Sequence, residues 1–178
     1  MDAFESVVAT ILEREGFWVR TSFKVKLTKE EKREISRPSS PRWEIDVLAY
    51  RPGDNLLWAV ECKSYLDSRG VTRHGFGHDR ASLKLFNDAK LREVVFRRLT
   101  IQLEEEKAIR KGAKVQLCLV AGKIVKSDLE WLQNHFDVNG WLLYGPAWLS
   151  ERLHLLAEGS YDNAVAAVTA KMLLRTPG

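Results

Sequence analysis

Cysteine is scarce. The 178 residues hold two, Cys62 and Cys118, which cannot form a disulfide framework. The expected setting is a reducing cytoplasm. Long apolar runs are absent too: no window approaches the roughly 18 uninterrupted apolar residues of a membrane span. The opening Met1-Asp2-Ala3-Phe4-Glu5 is acidic and lacks the basic start of a signal peptide. There is no G-x-x-x-x-G-K phosphate loop, and Gly75-Phe76-Gly77 is too short for a nucleotide fingerprint. No G-x-S-x-G nucleophile elbow occurs either. There is no internal repeat. These absences exclude a secreted disulfide scaffold, a membrane span, a P-loop nucleotidase and an elbow-type serine hydrolase.

What remains is ordinary in amount and uneven in placement. The chain is 45% hydrophobic and 29% charged, which argues for one folded domain rather than disorder. Net charge is +4, from 28 basic and 24 acidic residues. Its distribution says more. Segments 1–19 and 43–68 each carry −3, while 20–42 carries +5 and 69–114 carries +6. The remaining segment, 115–178, carries −1. An acidic segment therefore lies between two basic ones. Basic flanks suit a polyanion. The acidic centre suits one only if a cation sits there.

Hydrophobic spacing gives the elements. Phe4, Val7, Val8, Ile11 and Leu12 line one face of a helix that ends near Gly16. Residues 17–26 read as a strand. Residues 28–41, with two prolines and three serines near the end, read as a mobile basic loop. Residues 43–50 and 56–63 form two strands, and Arg51-Pro52-Gly53-Asp54-Asn55 turns them into a hairpin. A helix is expected from 81 to about 111, broken near Thr100-Ile101 and capped by Gly112. A strand follows at 115–121. Ser127 and Glu130 predict a capping box for a helix through Phe136. Then come a strand at 141–144, a helix from Gly145-Pro146 to Gly159, and a last helix over about 161–174. The order α-β-β-β-α-β, then α-β-α-α, predicts an α/β fold: a mixed central sheet flanked by helices.

The chemistry concentrates in the hairpin. Strand side chains alternate faces. Trp43, Ile45 and Val47 are expected on one face, with Glu44 and Asp46 on the other. In the next strand Trp58, Val60 and Cys62 share a face opposite Glu61 and Lys63. Asp46 and Glu61 then lie near the same end of adjacent strands, with Lys63 two residues on. Two neighbouring carboxylates suit a hard cation such as Mg²⁺, which takes oxygen ligands. A lysine there neutralises developing charge.

This pattern, Asp46 followed after fourteen residues by Glu61-Cys62-Lys63, resembles the PD-(D/E)xK nuclease superfamily. The element order α-β-β-β-α-β matches that family's restriction-endonuclease-like core. The stretch from Phe4 to Phe17 resembles the Mrr-like branch, and within the superfamily the chain most resembles Mrr-like and Holliday-junction-resolvase-like members. The resemblance covers roughly 1–125 and leaves 126–178 as a mainly helical C-terminal extension packed on the core. It implies a metal-dependent endonuclease that hydrolyses DNA phosphodiester bonds, in restriction or defence, or in repair or recombination. It implies Mg²⁺, replaceable by Mn²⁺, on Asp46 and Glu61, with the Cys62 carbonyl as a third ligand and Lys63 as the catalytic lysine. Glu5 would be a supporting ligand or water-orienting catalytic group. Two positions depart from the pattern. Ile45 stands where many members have proline. Gln102 is followed four residues on by Glu106, not the tyrosine of RecB-type members.

Each of these residues has a plainer reading. Glu5 stands three after Asp2 and could complete a capping box. Asp46, Glu61 and Lys63 could form a solvated face with a salt bridge. Cys62 could be a small core residue. His74 and His78 have zinc-like spacing, but the glycines at 75 and 77 argue against a helix that would aim both at one ion. Phosphate contacts are expected from Lys24, Lys26, Arg69, Arg73, His74, Arg80, Arg97 and Arg98. The expected partner is DNA, duplex or branched, ahead of RNA. No membrane partner is expected. A homodimer is expected, since duplex cutters often need two sites. The alternatives are a non-cleaving nucleic-acid-binding module of the same fold, and a scaffold or interaction protein.

Overall fold

The structure, a computed structural model, describes residues 2–37, 39, 42–77 and 83–175. Five strands make one sheet: β1 (Trp18–Val25), β2 (Trp43–Arg51), β3 (Leu56–Lys63), β4 (Lys114–Ala121) and β5 (Leu142–Tyr144). Their spatial order is the chain order. β1, β2 and β3 run antiparallel, with a tight turn between β2 and β3 and a longer connection, residues 26–42, between β1 and β2. β4 lies parallel to β3, and β5 parallel to β4. Each parallel step needs a crossover, and helices supply both. The sheet is therefore mixed and the class α/β.

Among the described residues, seven α-helices flank it: α1 (Ala3–Arg14), α2 (Lys29–Glu34), α3 (Lys84–Asn87), α4 (Ala89–Glu105), α5 (Leu129–Asn139), α6 (Pro146–Glu158) and α7 (Val165–Leu174). Two apolar layers result. On one face Leu91, Val94, Val95, Leu99 and Leu103 of α4 cover Leu57, Ala59, Leu117 and Leu119. On the other, Val8, Ile11 and Leu12 of α1 cover Val47, Trp58, Val60 and Cys118, together with Leu149 and Leu156 of α6 and Ala167 and Ala170 of α7. Each fully buried Leu or Val contributes on the order of 1.5–3 kcal/mol of apolar burial. The C-terminal segment is thus part of the same body, since β5 extends the sheet and α6 and α7 close the second layer. Among the described residues, no helix is long and apolar enough to cross a membrane.

Four expectations about the elements are corrected. Residues 28–41 are not all loop. Thr28 caps α2, and its hydroxyl and the Glu31 carboxylate form a reciprocal capping box. The long helix is broken at Asp88 rather than near Thr100. Asp88 ends α3, and its carboxylate accepts the Leu91 N–H to start α4. α4 stops at Glu105, so Gly112 does not cap it. Gly112 turns into β4 with a φ of +73°. Ser127 and Glu130 do not cap α5: its N-cap is Asp128, without a side-chain cap bond.

The face pattern of β2 also differs from strict alternation. Trp43 and Ile45 pack with the α4 layer, but so do Leu48 and Tyr50, while Val47 and Ala49 join the α1 layer. The phase slips by one at Asp46. β1 slips at the same level: Val19 joins the α1 layer, Phe23 and Val25 the α4 layer. Thr21 pairs with Val47 and Phe23 with Ile45, so Ser22 stands opposite Asp46, and the ladder skips that pair. Ser22 has a φ of +49°. The cause is therefore backbone conformation, which hydrophobic spacing alone does not show.

Candidate active site

β2 and β3 pair from Arg51 and Leu56 up to Val47 and Val60, and there the ladder ends. The next residues in register are Asp46 and Glu61. The strands separate at this point, and side chains fill the gap. The Cys62 backbone N–H donates to Asp46 Oδ2 at 2.7 Å. A carboxylate thus replaces the strand carbonyl that would otherwise have taken this bond. The phase slip makes this geometry available, because Asp46 sits where β2 belongs to neither face.

Glu61 and Lys63 point to one side of β3, as alternation predicts. Lys63 Nζ donates to Glu61 Oε1 at 2.6 Å, with each side chain about one-fifth exposed. Burial opposes the Lys63 ammonium, but the Glu61 carboxylate beside it raises its pKa above the usual lysine value. Asp46 is pushed the other way. Burial first, then the neighbouring charge of Glu61, raises its pKa from 3.8 to about 6, against the pull of the Cys62 N–H and Lys63. Glu5 adds to the same negative field. The half-buried site therefore carries an excess of negative charge that one lysine does not relieve.

Glu5 does complete the capping box. Its N–H donates to Asp2 Oδ1 at 2.8 Å, and its Oε2 accepts the Asp2 N–H at 3.1 Å. The plain reading and the electrostatic one hold together, since α1 starts beside the carboxylates. Cys62 joins the site through its backbone. Its thiol packs in the α1 layer, and burial pushes its pKa up.

Whether these residues suit a cation depends on its chemistry. Among the described residues, no group of three or more His, Cys, Asp or Glu side chains is arranged to hold a metal ion. That set would not serve zinc. Mg²⁺ is different, because it binds through one or two carboxylates and completes its shell with water and substrate phosphate. Asp46, with a raised pKa beside a second carboxylate, fits that donor chemistry.

Past Lys63 the chain is pinned rather than loose. Gly122 N–H donates to the Lys63 carbonyl at 2.9 Å, and Val71 and Ile124 form an isolated bridge. Gly122 is required there, because a Cβ would lie 2.4 Å from the Ser64 carbonyl oxygen. The pinned loop walls a cleft of about 620 Å³ whose lining includes Tyr65, Arg69, Arg73, His74 and Asp128. Tyr65 is also within electrostatic reach of Lys63. Asp128 accepts the Arg73 N–H at 3.1 Å and pairs with its guanidinium at 3.8 Å. Sequence reasoning missed Asp128, for which the acidic N-cap position was the available signal.

The other basic candidates lie elsewhere. Arg97 pairs with Glu34 at 2.6 Å and Glu93 at 3.3 Å. Arg98 grips both oxygens of Glu31, at 2.9 and 3.0 Å. These arginines fasten α2 to α4, so their charge is already matched. Lys24 lies 4.0 Å from Glu44. The Lys26 backbone donates to Gln102, whose amide brackets β1 against α4. Arg80 and His78 lie outside the described residues. No family model matches the chain, and no curated protein or solved structure matches it either.

Proposed function

We propose that the chain is a metal-dependent nuclease of the PD-(D/E)xK type, acting on DNA phosphodiester bonds. The supporting observation is the split hairpin end. There Asp46 is raised to about 6 beside Glu61, with Lys63 held 2.6 Å from Glu61. Bound Mg²⁺ (or Mn²⁺) would supply charge stabilisation on the phosphoryl oxygens. Asp46 and Glu61 would hold it, with Asp46 fixed by the Cys62 N–H. Lys63 sits where its ammonium can offset the charge that develops as water adds to phosphorus in line and the sugar oxygen leaves. Arg69, Arg73 and His74 would take the neighbouring phosphates, because they line one cleft with Tyr65, which is within electrostatic reach of Lys63. A nuclease working on cellular DNA places the chain in the cytoplasm. Cutting both strands would use two copies, and light scattering on the purified protein reads that directly.

The test is incubation with plasmid, linear, single-stranded and branched DNA in Mg²⁺ or Mn²⁺. Cleavage is expected, and its loss in Asp46→Ala and Lys63→Ala. No cleavage of any substrate, or equal cleavage by the variants, overturns the reading. The direct Lys63–Glu61 ion pair favours one second reading, a nucleic-acid-binding module that does not cut. It predicts salt-sensitive DNA binding that Asp46→Ala leaves intact, and no cleavage by the unmodified chain.

A further inference from the structure

We infer that Ser22 is a positioning residue for Asp46. This rests on the reading of Asp46 as a metal ligand. Ser22 occupies the middle of β1 yet has a φ of +49°. A non-glycine residue in that region is strained, and such strain persists only where the surroundings enforce it. A strand centre normally favours β-branched residues, and Val19, Thr21 and Val25 of β1 follow that rule. Ser22 does not. Nor is its hydroxyl the reason, for Oγ is buried with no hydrogen-bond partner among the described residues.

The backbone conformation has one visible consequence. The face pattern of β1 slips by one at Ser22, and the paired β2 slips at Asp46 directly opposite. Without the slip, Asp46 would extend the run of Leu48 and Tyr50 onto the α4 face. With it, the Asp46 carboxylate lies along the sheet toward β3 and accepts the Cys62 N–H at 2.7 Å. The kink in the edge strand thus aims a side chain on its neighbour. Ser22 touches neither metal nor substrate in this scheme. It acts through Asp46.

The Cys62 amide reports on this directly, because its proton resonance follows the bond to Asp46. Spectra of the full chain without metal or DNA would compare the unmodified protein with Ser22→Gly, Ser22→Thr and Ser22→Val, and use Asp46→Ala as the reference for a lost bond. Branched side chains resist positive φ, whereas glycine accepts it. The Cys62 amide is expected to move toward its Asp46→Ala position in Ser22→Val and Ser22→Thr, and to stay in Ser22→Gly. Ser22→Thr keeps the hydroxyl and adds one methyl, so it carries the test if Ser22→Val does not fold. Mn²⁺ affinity, read by the loss of free-ion paramagnetic signal, is expected to fall about tenfold in the branched variants and recover in Ser22→Gly. An unmoved Cys62 amide in the branched variants overturns the proposal, and so does an equal shift in Ser22→Gly. A moved amide with unchanged Mn²⁺ affinity overturns it as well. An unmodified chain that binds no Mn²⁺ overturns the nuclease reading instead, while the amide shifts still decide whether Ser22 aims Asp46.

Discussion

Asp46 is the residue where the site opposes the fold. Its carboxylate is kept half-buried beside Glu61, and its pKa is raised to about 6. A raised carboxylate binds its proton more tightly when folded than when unfolded. Stability therefore falls as pH climbs from about 4 to about 6, and the loss is complete above that. Replacing the charge should restore it. Asp46→Asn is expected to stabilise the chain by about 1–2 kcal/mol at pH 7.5, after allowance for partial solvent exposure. Thermal melts should show the gain at pH 7.5 and its disappearance near pH 4, where Asp46 is itself protonated. Adding Mg²⁺ should raise the melting point of the unmodified chain at pH 7.5 and leave Asp46→Asn nearly unchanged. Gly122 is the second decisive residue. A Cβ there would collide with the Ser64 backbone, so Gly122→Ala must displace the chain just past Lys63. Cleavage should drop at least tenfold, with the melting point lowered, in side-by-side nuclease assays and melts.

Among the elements, the hairpin was the most legible in the sequence, because turn residues and alternation act over a few positions. Asp46, Glu61, Lys63 and the α1 start were brought together as the hairpin and first helix required. The phase slip at Ser22 was not legible, since it comes from a backbone angle that no hydrophobic period records. α2 was overlooked because six polar residues carry no apolar stripe. Only the Thr28–Glu31 box marked it. That short helix gives Arg97 and Arg98 partners, which a count of positive charges cannot anticipate. Glu31 is buried, and Arg98 holds both its oxygens. Glu31→Ala removes the cap and strands the Arg98 charge, at a cost of about 2–4 kcal/mol. Urea unfolding should show that loss. DNA affinity of the folded variant, at fixed salt, should stay the same.

For the molecule as a whole, the +4 of the sequence separates into charge that is used up and charge that is not. The α2–α4 arginines are matched internally, while Arg69 lines an open cleft, with Arg73 beside it more than half exposed and meeting Asp128 only at 3.8 Å. Binding to duplex DNA measured across a salt series should separate the two groups. Arg69→Ala with Arg73→Ala is expected to reduce the slope of log affinity on log salt by about 2, close to 0.9 for each lost phosphate contact. Arg97→Ala should leave it unchanged. One consequence of the α1 layer concerns how the chain is made. The β2–β3 hairpin closes over a short span of sequence, but the layer that holds Leu12 is completed only when α6 and α7 arrive. A nascent chain that has emerged as far as β4 already holds Asp46, Glu61 and Lys63, with one apolar face of its sheet still partly bare. Synthesis therefore passes through an interval in which the charged end is assembled and the molecule is at its most adhesive, until the last helices seal it.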